Sequence, residues 1–275
     1  MKIILEYLIE AMKKMNHLKE KLKNKKTTIG SWITLGDPAI AEIMAKSGFD
    51  WLVVDMEHSA LSHNQAQEII RIINLCGITT LVRVMDHDPN AIKKFMDMGA
   101  HGVIVPRVNS KSDTEKVVNA VKYPPIGTRG VGLFRAHNYS LDLNTYQKWN
   151  QDKSIVIVQI EHIEAINNIK SILSVEGVDG YIIGPYDLSA SMGYPGEFEH
   201  PEVKKVLNTL KEIIKNTKKP WGFHEVNSDP NSVTNRINDG YRFIAFGVDF
   251  LFFSTICKDK ISLVKQQIIQ NTKCQ

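Results

Sequence analysis

The sequence predicts a (β/α)8 barrel, and three observations support this. Short apolar segments alternate with longer segments of helical periodicity along the chain. The apolar segments are continuously hydrophobic, which is typical of parallel strands covered on both faces. The chain has 275 residues, a length that suits one barrel better than two ordinary domains. We therefore expect a single barrel domain over residues 27–275, with an N-terminal helical extension, residues 1–26, packed on it.

Eight apolar segments are the expected strands: residues 29–33, 51–55, 79–83, 102–106, 155–159, 180–184, 220–223 and 243–247. Helical patterns separate them, most clearly at residues 65–75, 113–121, 163–173 and 201–214. A doubly wound open sheet is the main alternative, and it usually has a glycine-rich phosphate turn after its first strand. Residues 34–38 are not such a turn, and Pro38 suits the first turn of a helix.

Two segments depart from this alternation. Near the N-terminus, five apolar residues share one face of an amphipathic helix: Ile4, Leu5, Leu8, Ile9 and Met12. Glu6 and Glu10 interrupt this segment, which argues against a signal peptide. The second segment joins the fourth and fifth strands and contains residues 123–132, where proline and glycine predict irregular structure. Long connections of this kind are usually functional or make subunit contacts.

Composition excludes several classes of protein. The net charge of +4 is mild, and the lysines of residues 19–26 have no aromatic side chains among them, so we expect no nucleic-acid partner. The most apolar late segment, residues 243–257, contains Asp249 and is too short to cross a bilayer, so we expect no membrane partner. The cysteines are Cys76, Cys257 and Cys274, without paired spacing. They indicate a reducing compartment and predict a cytoplasmic protein.

Ionisable and polar residues accumulate where the expected strands end. In a barrel, the carboxyl ends of the strands carry the catalytic groups. The ends of four strands contribute seven ionisable or polar residues: Asp55, Glu57, His58, Arg83, Gln159, Glu161 and Asp187. A barrel with a purely structural role would not need so many ionisable groups at one mouth. The sequence therefore predicts an active site there.

Glu161 and Asp187 lie about one βα unit apart, so they should end neighbouring strands, roughly 5 Å apart at the backbone. Two carboxylates that close repel each other unless they share a proton or a cation. Mg2+ or Mn2+ accepts two carboxylates and keeps positions for water and substrate oxygens. Salt bridges to neighbouring lysine or arginine are the alternative for either carboxylate.

His58 and Arg83 each allow two interpretations. A histidine can act as a general base at neutral pH, or it can be a loop residue bonded to Asp55. A strand-terminal arginine must meet an anion, because it keeps its charge. That anion can be an enolate oxygen or substrate carboxylate, or a structural partner, either Glu57 or Asp55.

Other chemistries lack their motifs. The histidines form no HxxxH or HExxH pattern, which makes zinc less favoured. There is no GxSxG and no P-loop. None of the eight expected strands contains the lysine that a Schiff-base aldolase would need.

At this ring the sequence resembles the HpcH/HpaI class II pyruvate aldolases, relatives of the citrate lyase β-type proteins. The resemblance runs from about residue 18 to about residue 252 and covers nearly the whole barrel. The matching segments are residues 30–32, 48–51, 55–58, 82–84, 96–100, 102–106, 123–130, 159–161 and 184–189. Each motif is weak alone, whereas their order and spacing together are specific.

The resemblance implies a role for each matching residue. It implies Glu161 and Asp187 as ligands of a divalent ion, Mg2+ or Mn2+, with Co2+ as a further candidate and no organic cofactor. Three residues are implied as catalytic: His58 as the base, Arg83 as the stabiliser of the enolate and Asp97 as the acid that supports the histidine. Gln159, Tyr186, Asp187 and Arg83 are implied as substrate contacts.

The family also implies a reaction and an assembly. The expected reaction is reversible cleavage of a 4-hydroxy-2-oxo acid into pyruvate and an aldehyde, in a homo-oligomer such as a hexamer or a trimer of dimers. A citrate lyase β-like or malyl-thioester lyase and a non-catalytic barrel that binds a 2-oxo acid are the alternatives. Ser59 and Arg107 depart from the family pattern, which usually has glycine and methionine there. These departures leave the substrate open.

Overall fold

A computed structural model describes residues 17–227 and 229–273. Its eight strands pair in sequence order, all parallel, and close into one barrel. The strands are β1 (Thr28–Ile33), β2 (Trp51–Asp55), β3 (Thr79–Arg83), β4 (Gly102–Val105), β5 (Ile155–Ile160), β6 (Gly180–Ile183), β7 (Trp221–Glu225) and β8 (Phe243–Val248). The (β/α)8 barrel and all eight strand segments expected from the sequence are confirmed.

Helices separate and flank the strands, and most of them cover the outside of the barrel. In chain order they are α1 (His17–Lys23), α2 (Pro38–Lys46), α3 (His63–Leu75), α4 (Pro89–Asp97), α5 (Lys111–Val121), α6 (Leu143–Lys153), α7 (Ile163–Asn167), α8 (Ile169–Leu173), α9 (Pro185–Ser191), α10 (Pro201–Asn216), α11 (Pro230–Asn238) and α12 (Asp249–Lys273), with a 3-10 turn at Arg135–His137. Several begin at an aspartate or serine cap, as Asp37 and Ser62 do for α2 and α3.

One expected helix is divided in two. The pattern over residues 163–173 forms α7 and α8, which meet at Asn168. The backbone of Asn168 leaves helical geometry, with ψ near 7°, and its side-chain amide donates to the carbonyl oxygen of Asn109, 2.9 Å away. This bond ties the junction of the two helices to the β4–α5 connection.

Two apolar layers hold the fold together. One lies between the strands and the covering helices. The other fills the barrel, where Trp51 stacks on Phe243 with ring centroids 4.0 Å apart. Gly30 makes room for this stack, because a methyl group there would stand 2.0 Å from the Trp51 ring. The barrel interior is therefore a packed core, and any substrate must bind at its mouth.

The N-terminal extension is described only from residue 17. Leu18 and Leu22 of α1 are buried against the barrel interior, and Lys19 pairs with Asp179 at 3.0 Å. Helix α1 thus packs on the end of the barrel opposite the carboxyl ends of the strands. The amphipathic helix expected at residues 4–12 lies outside the described residues, and the division into an extension and one barrel domain stays a prediction.

The connection between β4 and β5 contains α5, the 3-10 turn and α6. Its proline- and glycine-rich part, residues 123–132, has no helix or strand, as expected. The part is nevertheless tightly packed, because Arg129 is buried and its guanidinium lies over the Tyr123 ring, 4.6 Å from the centroid.

Helix α12 follows β8 but does not lie along the barrel. From Phe253 onward the residues whose burial is described are exposed, and they include several large apolar side chains. Ile256, Leu263 and Ile268 are among them. Among residues 17–227 and 229–273, no helix combines the length and the apolar character that crossing a lipid bilayer requires.

Candidate active site

The carboxyl ends of the strands line two neighbouring spaces. A small inner pocket, about 50 Å³ in volume, is lined by residues that include Trp32, Arg83, Gln159, Asp187 and His224. A wider outer cleft of about 480 Å³ is lined by Glu57, His58, Met85, Arg107, Glu161, His162, Asp187 and Ser191. Asp187 belongs to both spaces, so the inner pocket and the outer cleft meet at its side chain.

Arg83 is held rigidly at the end of β3. Its Nε and Nη2 atoms donate to the two carboxylate oxygens of Asp55 at 2.9 and 2.6 Å. Its guanidinium also lies over the Trp32 ring, 4.3 Å from the centroid. Burial works to raise the pKa of Asp55, but Arg83 and the backbone N–H groups of Glu57 and His58 lower it overall. The structural partner considered for Arg83 is therefore present, and the same guanidinium still faces the inner pocket.

Glu161 is a buried carboxylate at the end of β5, 3% exposed. One oxygen accepts the backbone N–H of Arg107 at 2.7 Å, and the other accepts the side-chain amide of Gln159. Burial raises the pKa of Glu161 to about 7; these two hydrogen bonds oppose the rise, whereas the carboxylates of Asp187 and Glu57 add to it. Three carboxylates thus converge on one side of the mouth, where a cation would relieve their repulsion.

Two buried oxygen atoms beside Glu161 lack hydrogen-bond partners among the described residues, Gln159 Oε1 and Glu57 Oε2. Gly184 keeps the space around them open, since a methyl group there would stand 2.6 Å from Glu161 Oε2. In the part of the chain that the structure describes, no three histidine, cysteine, aspartate or glutamate side chains form a metal-binding group. The carboxylates of Glu161 and Asp187, with oxygens nearby that lack hydrogen bonds, nevertheless fit a hard divalent ion, because such an ion keeps several waters or substrate oxygens as ligands.

His58 stands at the edge of the outer cleft and its side chain is 62% exposed. Its Nε2 atom lies 3.9 Å from Glu57 Oε2, and its backbone N–H donates to Asp55 at 3.3 Å. The adjacent Ser59 has a local role, since its hydroxyl donates to the carbonyl oxygen of Asp55. This serine closes the loop that carries His58.

Asp97 is not brought to His58 within one chain. Helix α4 starts after the carboxyl end of β3, so its last residue, Asp97, lies towards the opposite end of the barrel. Its carboxylate pairs with Arg129 at 2.5 Å, and no hydrogen bond or ion pair joins it to His58 among the described residues. The fold of one chain therefore does not bring Asp97 to His58, and the expected support of His58 by Asp97 stays a prediction.

Tyr186 and Asp187 open helix α9, directly after β6. Tyr186 is 53% exposed and packs edge-on against Phe198, with ring centroids 5.0 Å apart. Both residues line the inner pocket together with Gln159 and Arg83. The four expected substrate contacts therefore meet in one space, as the strand-end argument requires.

Two residues of this site, Trp32 and His224, were not predicted from the sequence. Trp32 lies under the Arg83 guanidinium, and the His224 ring packs on it with centroids 5.0 Å apart. Burial lowers the pKa of His224 to about 4, so this ring is neutral. Their positions near the carboxyl ends of β1 and β7 were the available signal.

Comparison with known proteins gives a consistent result. The profile of the family described as HpcH/HpaI aldolase/citrate lyase matches residues 28–255. The 2-keto-3-deoxy-L-rhamnonate aldolase of Escherichia coli strain K12 is 33% identical over 252 residues, covering 91% of this chain and 93% of that protein.

Two solved structures are also similar. An HpcH/HpaI aldolase/citrate lyase family protein from Burkholderia cenocepacia J2315 has a TM-score of 0.85 at 28% identity, covering 91% of this chain and 99% of the other. The citrate synthase SbnG has a TM-score of 0.80 at 27% identity, covering 91% and 98%.

Proposed function

The chain belongs to the HpcH/HpaI aldolase/citrate lyase family, and from this premise we propose that it is a divalent-metal-dependent aldolase. It cleaves a 4-hydroxy-2-oxo acid into pyruvate and an aldehyde, and catalyses the reverse condensation. It is thus a carbon–carbon lyase, which agrees with the name of its relative, 2-keto-3-deoxy-L-rhamnonate aldolase. The observation that carries the proposal is the convergence of Glu161, Asp187 and Arg83 where the inner pocket meets the outer cleft.

The two spaces suit the two halves of such a substrate. The inner pocket is small and lined by Arg83 and Gln159, which suits the three-carbon pyruvate half. The outer cleft is wider and suits the aldehyde half. The bond to be broken then lies near Asp187, the side chain that the two spaces share.

Glu161 and Asp187 are the residues that would hold the ion. When bound, a divalent ion supplies positive charge that stabilises the oxygen of the developing enolate. His58, at the edge of the cleft, removes the proton from the C4 hydroxyl. The C3–C4 bond breaks, its electron pair becomes the enolate, and protonation at C3 gives pyruvate.

Arg83 stabilises the enolate oxygen from within the inner pocket. Its bidentate pair with Asp55 and its contact with the Trp32 ring hold it in place before substrate binds. Preorganised charge of this kind avoids reorganisation during the reaction.

Chelation and substitution of Arg83 test the proposal. We expect activity to vanish with EDTA and to return with Mn2+, Mg2+ or Co2+ in a pyruvate-release assay over 4-hydroxy-2-oxo acids. Arg83→Lys keeps the charge without the planar fork and should lose about 100-fold in kcat. Arg71→Lys, on α3, is the matched control. Activity that survives complete metal removal, or an unchanged Arg83→Lys enzyme, would contradict the mechanism.

A second candidate is an acyl-thioester lyase or synthase, which the similarity to the citrate synthase SbnG favours. Acetyl-CoA binding with no pyruvate release would select it. A barrel that merely binds 2-oxo acids would catalyse no exchange of pyruvate protons in deuterated water. The aldolase would catalyse this exchange, and so would a thioester lyase or synthase that accepts pyruvate.

We also propose that the protein is a cytoplasmic homo-oligomer. The exposed apolar residues of α12, such as Leu263 and Ile268, support self-association, and the absence of a paired cysteine motif supports the compartment. A monomeric mass in sedimentation at micromolar concentration would contradict the assembly.

A further inference from the structure

The outer cleft contains a residue in an unfavourable backbone conformation. Arg107, after β4, has φ of 51°, in the left-handed region that is unfavourable for residues with a side chain. This conformation directs its backbone N–H to Glu161 Oε1 at 2.7 Å. A glycine would supply the same N–H without the steric cost. The backbone contact does not involve the guanidinium, whose surroundings are a separate feature of the site.

The Arg107 guanidinium is under-used, unlike that of Arg83. Its side chain is 62% exposed, and its Nε atom lies 3.9 Å from Glu57 Oε1, beyond hydrogen-bond distance. One Nη2 hydrogen bond goes to the carbonyl oxygen of Met85 at 3.0 Å. A guanidinium has five N–H donors, so most of those on Arg107 remain available to a ligand.

Arg107 also stands between the outer cleft and a second open groove of about 440 Å³. That groove is lined by Asp86, His87, Asp88, Pro89, Arg107 and Lys116. The two aspartates are engaged by backbone N–H groups of their own turn, since Asp86 accepts from Asp88 at 2.8 Å and Asp88 caps helix α4. Arg107 and Lys116 supply two positive charges there, beside the negative charges of the two aspartates.

We propose that the substrate carries a second anionic group on its aldehyde half, and that Arg107 binds this group. The inference rests on the proposed function and adds the substrate class. With the pyruvate half in the inner pocket, the aldehyde half extends past Asp187 along the outer cleft, whose wall includes Arg107. A carboxylate or a phosphate matches the planar fork of a guanidinium. Arg107 is then a determinant of specificity that a methionine at this position would not provide.

The experiment compares aldehydes of matched length in condensation with pyruvate and Mn2+. Succinic semialdehyde and butanal differ in the terminal carboxylate, and glyceraldehyde 3-phosphate and glyceraldehyde differ in the phosphate. We expect the enzyme to prefer one anionic aldehyde by at least about 10-fold in kcat/KM, and the better of the two identifies the group. The preference should weaken at high ionic strength, because Arg107 is exposed.

Arg107→Met keeps the backbone N–H to Glu161 and removes the charge. It should lower the anionic-to-neutral ratio of kcat/KM at least about 10-fold, and Arg107→Lys should lower it less. Arg71→Met removes an exposed charge paired with Glu68 at 3.0 Å on α3 and should leave the ratio unchanged. No preference in the native enzyme, or a ratio that Arg107→Met preserves, would overturn the inference alone. Failure to condense any aldehyde would instead overturn the proposed function.

Discussion

Replacement of Gly184 by alanine tests the geometry of the site with one methyl group. Gly184 has φ of −95°, so alanine adopts its backbone conformation without strain. The added carbon would stand 2.6 Å from Glu161 Oε2 and 3.0 Å from Gln159 Nε2. Both distances are shorter than the ~3.5 Å of ordinary contact, so the carboxylate must move by roughly 1 Å. A displacement of that size at a reacting centre can lower the rate about 100-fold.

The assay has two readouts and a matched control. Pyruvate release should fall about 100-fold in Gly184→Ala, and titration calorimetry should show weaker Mn2+ binding, because Glu161 is a proposed ligand. Gly130→Ala is the control, since a methyl group there meets nothing closer than Lys93 Cδ at 3.9 Å. A folded Gly184→Ala protein with native activity and native Mn2+ affinity would refute the placement of the metal beside Glu161.

Two further predictions concern stability. Asp55→Ala removes the bidentate partner of the buried Arg83, which keeps only the longer contact with Glu57 at 3.5 Å. The variant should lower the free energy of unfolding by about 3–5 kcal/mol in urea titrations; a loss below about 1 kcal/mol would show that the pair is not structural. Burial lowers the pKa of His101 to about 4, with a further effect of Arg135, so the unfolded chain binds this proton first as the pH falls. Stability should therefore decrease from about pH 6.5 towards pH 4, by up to ~1.4 kcal/mol per pH unit from this residue. His101→Asn, whose side-chain oxygen can replace the Nδ1 acceptor of the Thr80 N–H, should flatten that profile, and an equally steep one would contradict the assignment.

The strand-end residues were predictable because a parallel barrel brings the carboxyl ends of all its strands to one rim. Glu161 directly follows β5 and Asp187 lies in the first turn after β6, so chain order alone brings them to adjacent positions. The same rule placed Arg83 and Gln159. The continuous apolar character of the strands determined the fold class in the same way, because only a sheet covered on both faces buries such segments.

The interactions between loops were not predictable in this way. The pairing of Asp97 with Arg129 joins a helix end to an irregular connection, and no periodicity relates those two residues. The left-handed conformation of Arg107 is another case, because arginine is a residue for which sequence does not suggest a positive φ.

The amino-acid sequence by itself determined the barrel, its strand order and which residues end each strand, because these follow from local hydrophobic pattern and from closure of a parallel sheet. Tertiary structure decided which of those groups are already satisfied and which remain open. It binds Arg83 to Asp55 while leaving Gln159 Oε1 and Glu57 Oε2 without hydrogen bonds among the described residues. That distinction depends on differences of a few tenths of an ångström in the distances between side chains that are far apart in the chain. The hydrophobic pattern carries no information about such differences.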